Sequence, residues 1–251
     1  MSRPKPKARP PTFAPNVGKS LDILVDSERY LRLPIKTRLI TEEDDLVKLL
    51  EEYVAPYLVP DDVLFVSEKI VAITQGRIIK IRDIKPSRLA RFLARHIHNH
   101  RHTVNFRGFG HGTSMGMELF LQEAGYPRVI FAAAVAAVTR PLGIKGLFYI
   151  ICGKRAKSVD CPMSFTLWPY LHYAKLAPQD APGVARRLKE RFGNEVVILD
   201  ANYRGVFSLG KSARAPSEKF IRGAFRDNPA GQSDEMTPFF LLRSESNAAV
   251  I

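Results

Sequence analysis

Cysteine is nearly absent: Cys152 and Cys161 are the two in 251 residues. Two thiols cannot build a disulfide scaffold, and they lack the four-ligand spacing of a zinc site. Core thiols in a reducing cytoplasm are the simplest expectation. Long apolar runs are missing as well. The stretch from Val129 to Val138 is closed off by Arg128 and Arg140, well short of the roughly 18 residues of a membrane span, so no membrane partner is expected. The segment MSRPKPKARPPTFAP carries no apolar region after its basic residues and does not read as a secretory signal. Low complexity and internal repeats are also lacking. With 45% hydrophobic and 25% charged residues, the chain has the balance of a globular protein, large enough to fold without covalent staples.

Acids are scarce in two places. The net charge is +13, yet residues 1–20 hold five bases and no acid, and residues 77–107 hold nine bases against Asp83 alone. Those two segments make the whole excess. They form a basic, proline-rich arm and a basic stripe, suited to polyanions, nucleotides or a polycarboxylate, or else a solubilising face. The arm, residues 1–20, is expected to be flexible, with one domain over 21–251.

Residues 21–25 suggest a first strand. Thr41-Glu42-Glu43-Asp44 resembles a capping box ahead of Leu46, Leu49, Leu50, Tyr53 and Val54 at helical spacing. A strand is expected over Val63 to Val66. The stretch Ser67 to Thr74 and the alternating Ile78 to Ile81 suggest two more strands joined at Gly76. Pro86-Ser87 opens a helix to residue 97 with Arg88, Arg91 and Arg95 on its polar side, and a short helix follows from about Ser114 to Glu123. Leu147 to Cys152, between glycines, reads as a buried strand. Val184 to Phe192 reads as a helix closed by Gly193 and leading into the strand Val196 to Asp200. Val206 to Leu209 and Phe239 to Leu242 suggest further strands. The pattern is mixed α and β rather than a regular βαβ array.

Gly205-Val-Phe-Ser-Leu-Gly-Lys211-Ser212 matches the letters of a phosphate-binding loop. Its context argues against one: Val206 and Phe207 would sit in the anion cradle, and Pro216 interrupts the helix that should follow. His96, His98, His100 and His102 alternate in the most basic region, where neighbouring arginines disfavour a dication. A carboxylate where a buried strand ends, as at Asp200, can hold Mg²⁺ against nucleotide phosphates or simply cap a turn. Asp160, after another apolar segment, is ambiguous in the same way.

Four segments carry a family resemblance: residues 58–77 (LVPDDVLFVSEKIVAITQGR), 140–149 (RPLGIKGLFY), 196–205 (VVILDANYRG) and 227–235 (DNPAGQSDE). Together the chain resembles the gamma-glutamyl ligase family of the deazaflavin coenzyme F-420, in its divergent bacterial branch, over roughly residues 33–242. The resemblance implies an α+β fold of mixed, largely antiparallel sheets with flanking helices. It further implies a homodimer, and a ligase joining L-glutamate to an anionic acceptor through a gamma-glutamyl amide, with GTP and Mg²⁺ or Mn²⁺. By matching position, Asp160 and Asp200 would be metal ligands. Leu33, Pro34, Ile35, Ser67 and Glu68 would lie against the nucleotide, with Asn202 and Arg204 supplying polar contacts. Asn228, Gln232 and Asp234 belong to the branch motif. Arg77, with Arg88, Arg91 and Arg95, would neutralise substrate carboxylates. The chain departs from the family at Ile73, where a nucleotide-contacting lysine is usual, and at Ala201, where a threonine is. The alternative is a catalytically altered member that binds nucleotide or, through its basic arm and helix, nucleic acid.

Overall fold

The computed structural model describes residues 13–96, 110–164, 166–202, 205–231 and 233–245. In chain order these form β1 (Asp22–Val25), β2 (Glu28–Ile35), α1 (Leu46–Tyr53), β3 (Val63–Ser67), α2 (Glu68–Thr74), β4 (Ile78–Lys80), α3 (Arg88–His96) and α4 (Ser114–Ala124). There follow α5 (Tyr126–Thr139), α6 (Leu147–Lys157), β5 (Tyr173–Lys175), α7 (Ala181–Phe192), β6 (Glu195–Asn202), β7 (Gly205–Lys211), α8 (Glu218–Phe225) and β8 (Phe239–Ser244).

Six strands make one sheet in the order β1-β2-β8-β3-β6-β7, and β4 pairs with β5 in a second. The β3–β6 pair is parallel, with Ser67 opposite Leu199, and the other pairs are antiparallel. The expected α+β architecture is therefore borne out. Both faces of the large sheet are covered, and that explains its unbroken apolar strands. Side chains alternate across a strand. Val196 and Ile198 accordingly join a core with Leu50, Val71 and Leu188, while Val197 and Leu199 pack with Ile221 and Phe225 of α8. A third core, formed by α3, α4, α5 and α6, centres on Leu93, Met117, Phe120, Val129 and Cys152.

Two expected strands are helices. Ser67–Thr74 reads as a strand because of Ile70, Val71 and Ile73, but α2 buries Val71, Ala72 and Ile73 against the sheet, and packing outweighs β-propensity. Gly76, at φ 65°, does not join two strands; its N–H bonds to the carbonyl of Ile73 and ends the helix. Leu147–Cys152 is the first half of α6. The helix breaks at Gly153 (φ 88°, ψ 172°), and Cys152 and Ala156, on either side of the break, both face the helical core, while Ile150 is 66% exposed. Consequently Asp160 follows a helix rather than a strand.

The helix after Thr41 begins later than its pattern suggests. Asp45 caps α1 by accepting from the Lys48 N–H, while Asp44 accepts from the backbone of Thr41 and pairs with Arg38. Residues 205–211 form β7, so the G-x-x-x-x-G-K-S letters build a strand and no phosphate loop. Both cysteines are buried, and burial pushes their thiols up to about 11. Among the described residues, no helix is long and apolar enough to cross a membrane.

Candidate active site

β3 and β6 run side by side; α2 starts at once from the end of β3 at Ser67, opposite Leu199, while β6 continues to Asn202. Around these ends lies a cleft of about 320 Å³. Its floor is made by Ser67 and Glu68 from the β3–α2 junction and by Asp200 and Asn202 from β6. The segment 37–40 after β2, the segment 157–164 after α6, and the loop before β8 complete the walls.

Asp160 arrives on this cleft through backbone pairing. Its N–H and C=O bond to the C=O and N–H of Lys175 at 3.1 and 2.8 Å, an isolated bridge that fixes it against β5. Forty positions apart in sequence, Asp160 and Asp200 thus share one cavity. Burial, and then the neighbouring charge of Asp160, push Asp200 up to about 6, against the opposing pull of Lys175, Asn202 and Lys69. Asn202 donates its side-chain amide to Asp200 Oδ1 at 3.0 Å, orienting that carboxylate. Lys69 on α2 donates to the Met163 carbonyl at 2.9 Å, and its Nζ stands 3.6 Å from Asp160 Oδ2.

Beneath the aspartates lies a second charged layer. Lys175 Nζ, fully buried, donates to Glu68 Oε1 and Oε2 at 2.8 and 2.7 Å and to the Ser158 carbonyl. Burial alone would lower the lysine; Glu68, Asp160 and Asp200 outweigh it and hold the ammonium above its ordinary value, so it stays protonated.

The remaining expected residues divide. Ser67, Glu68 and Asn202 line the cleft, although Glu68 is spent on Lys175. Leu33, Pro34 and Ile35 are buried in β2 and do not reach it; Thr37, Arg38, Leu39 and Ile40, just beyond, do. Arg77 also lies outside. Its guanidinium is held by the Ala177 carbonyl and by Glu123, which Arg155 shares. Arg88, Arg91 and Arg95 are exposed on α3. Among the described residues, the lysines and arginines that line the cleft are Arg38, Lys69 and Lys157. Arg204, Gln232, His98, His100, His102, Arg101, Arg107 and arm residues 1–12 lie outside the described residues.

Of the motif from Asp227 to Glu235, Ala230, Gly231, Ser233 and Glu235 line the cleft. Asp227 pairs with the buried Arg32, and Asn228 turns at φ 47° and donates to the Gly231 carbonyl at 2.8 Å. Gly231, at φ 78°, lies so close to Glu235 that a Cβ would collide with its carboxylate.

A hard divalent cation fits this donor set. Mg²⁺ is commonly held by one or two carboxylates and completes its shell with water and substrate phosphates. Asp160 and Asp200 offer such a pair, and the Asp160 side chain is 41% exposed. Among the described residues, no group of three or more His, Cys, Asp or Glu side chains is arranged to hold a metal by itself.

Fold and cleft together define an α+β protein whose cleft, beside a parallel pair of strands, gathers Asp200 from β6, Asp160 from the segment after α6 and lysines from α2 and α6. Residues 34–137 match the family described as F420-0:Gamma-glutamyl ligase, and through this segment the resemblance drawn from the sequence is borne out. The match supports gamma-glutamyl ligase-type function in the broad sense. It contains Pro34, Ile35, Ser67, Glu68 and Arg77, while Asp160, Asp200 and Asn202 lie beyond it. No curated protein matches the chain.

Proposed function

We propose that the cleft is the active site of a nucleotide- and metal-dependent ligase that joins L-glutamate to an anionic acceptor by a gamma-glutamyl amide bond. The convergence of Asp160 and Asp200 on one cavity carries this reading, alongside the family match of residues 34–137. The substrates are GTP, the acceptor and L-glutamate. An acceptor carboxylate attacks the terminal phosphate and GDP leaves; the glutamate amine then attacks the acyl carbon of the acyl phosphate, expelling inorganic phosphate and losing a proton as the amide forms. Mg²⁺ or Mn²⁺, bound by Asp160 and Asp200, would neutralise the phosphates.

The chain's own residues do the positioning. Asn202 orients Asp200, and the backbone bridge to Lys175 orients Asp160. Lys69, tethered by the Met163 carbonyl, places a cation on the cleft one helical turn before Ile73, where it can take up phosphate charge. Leu39, Ile70, Leu167 and Tyr170 give the cleft an apolar wall that excludes water from a reactive acyl phosphate.

The test is nucleotide hydrolysis that needs Mg²⁺ or Mn²⁺ and is coupled to incorporation of labelled glutamate. It should be abolished by Asp200→Ala; hydrolysis indifferent to that change would refute the assignment. A homodimer is the proposed assembly. It is supported by Ile130, Phe131, Val138, Leu142, Ile144 and Ile150, large apolar side chains exposed on α5, on α6 and between them. A second reading, a nucleic-acid-binding relative without turnover, is favoured by the exposed arginines of α3, and predicts affinity that falls steeply with salt.

A further inference from the structure

Phosphoryl-transfer sites often use two divalent ions about 4 Å apart, clamped between carboxylates. In this cleft one of the two places is filled by protein. We propose that the Lys175 ammonium is a built-in cation occupying the position between Glu68 and Asp160 that a second divalent ion would take, so that the site holds one metal ion. The inference rests on the ligase reading above.

Three observations carry it. Lys175 Nζ is bound by both oxygens of Glu68, at 2.8 and 2.7 Å, and by the Ser158 carbonyl, and it stands 4.0 Å from Asp160 Oδ2. An ammonium has three donors, and all three are used on oxygens that would otherwise suit a hard metal. Secondly, Lys175 is fully buried, so the charge cannot swing out to make room. Thirdly, the backbone of Lys175 pairs with that of Asp160 in both directions, so the residue that supplies the fixed cation also sets the height of the aspartate facing the exchangeable one. A lysine acting only as a core ion-pair partner would leave metal stoichiometry untouched. A lysine standing in for a cation would not.

The experiment counts Mn²⁺ bound to the full chain by equilibrium titration with electron paramagnetic resonance, using Mn²⁺ alone. The wild type should bind one ion per chain. Lys175→Ser, which vacates the place but keeps Glu68 and Asp160, should bind two, and its lowered melting temperature should recover on adding Mn²⁺. Two ions on the wild type, or one on Lys175→Ser, would overturn the built-in cation while leaving the metal site intact. No ion on the wild type would overturn the metal-site reading itself, and the inference with it. Should Lys175→Ser fail to fold, the Lys175→Ala/Glu68→Asp double variant, which opens the same place but keeps a carboxylate beside it, takes its role in the count: two ions are expected, and one would overturn the inference.

Discussion

Lys175 and Glu68, 107 positions apart, form an ion pair buried under the candidate site, with Nζ 2.7 and 2.8 Å from the two carboxylate oxygens. Removing one partner strands the other charge in the interior, at a cost of about 3–5 kcal/mol, whereas removing both leaves a neutral, packable gap. Lys175→Met and Glu68→Gln should each be severely destabilised, and the double variant should be far less destabilised than their sum. Urea unfolding in a double-mutant cycle measures this. Additive losses would show that the pair is not coupled.

Asp200 gives a pH dependence of definite sign. Its ordinary value of 3.8 is pushed up to about 6 in the fold, so the folded protein prefers the protonated form. For such an acid the penalty is absent below the ordinary value and complete above the raised one. In metal-free buffer Asp200→Asn should therefore melt higher than wild type at pH 8, with the difference closing as pH falls from 6 towards 4. The same variant should bind Mn²⁺ at least tenfold more weakly, so that the stabilising substitution is the inactive one.

Lys69→Met tests the proposed phosphate cation. The side chain is 40% exposed, and its one direct donation is to a carbonyl, so the fold should lose only about 1 kcal/mol. Turnover should fall by about 10²-fold, the usual scale for losing one charge-stabilising group in a phosphoryl-transfer site. Steady-state kinetics beside a melting curve separates the two effects.

Arg77 makes the opposite prediction. Its ion pair with Glu123, a side chain only 4% exposed, gives Arg77→Ala a structural cost of about 1–3 kcal/mol, while kcat of the folded variant should stay within twofold of wild type. A large fall in kcat without loss of stability would return this residue to the active site.

How much of this was legible in the sequence depends on which physical signal each residue carries. The strand ending at Asp200 is plain, because four apolar residues between a helix-ending glycine and an acid leave few alternatives. Asp160 is visible as an acid but not as a neighbour of Asp200, since a backbone bridge to β5 leaves no mark in local pattern. Lys175 carries no signal at all. It stands in a three-residue strand, and only the fold brings Glu68 to it. The helices α2 and α6 read as strands because β-branched runs beside glycine look alike whether they pack as strand or helix, and length was too short to arbitrate. Arg88, Arg91 and Arg95 read as one helix face and stand exposed on α3, yet a charge count does not say where such a face points; none of the three lines the cleft.

The most direct measurement is the melting temperature with GTP and Mn²⁺, added separately and together, for wild type, Asp160→Ala and Asp200→Ala. One ion held by both aspartates against a triphosphate predicts that wild type rises with Mn²⁺ alone and by several degrees more when GTP is added with it, and that either substitution removes both rises. A rise that survives in either variant would contradict it.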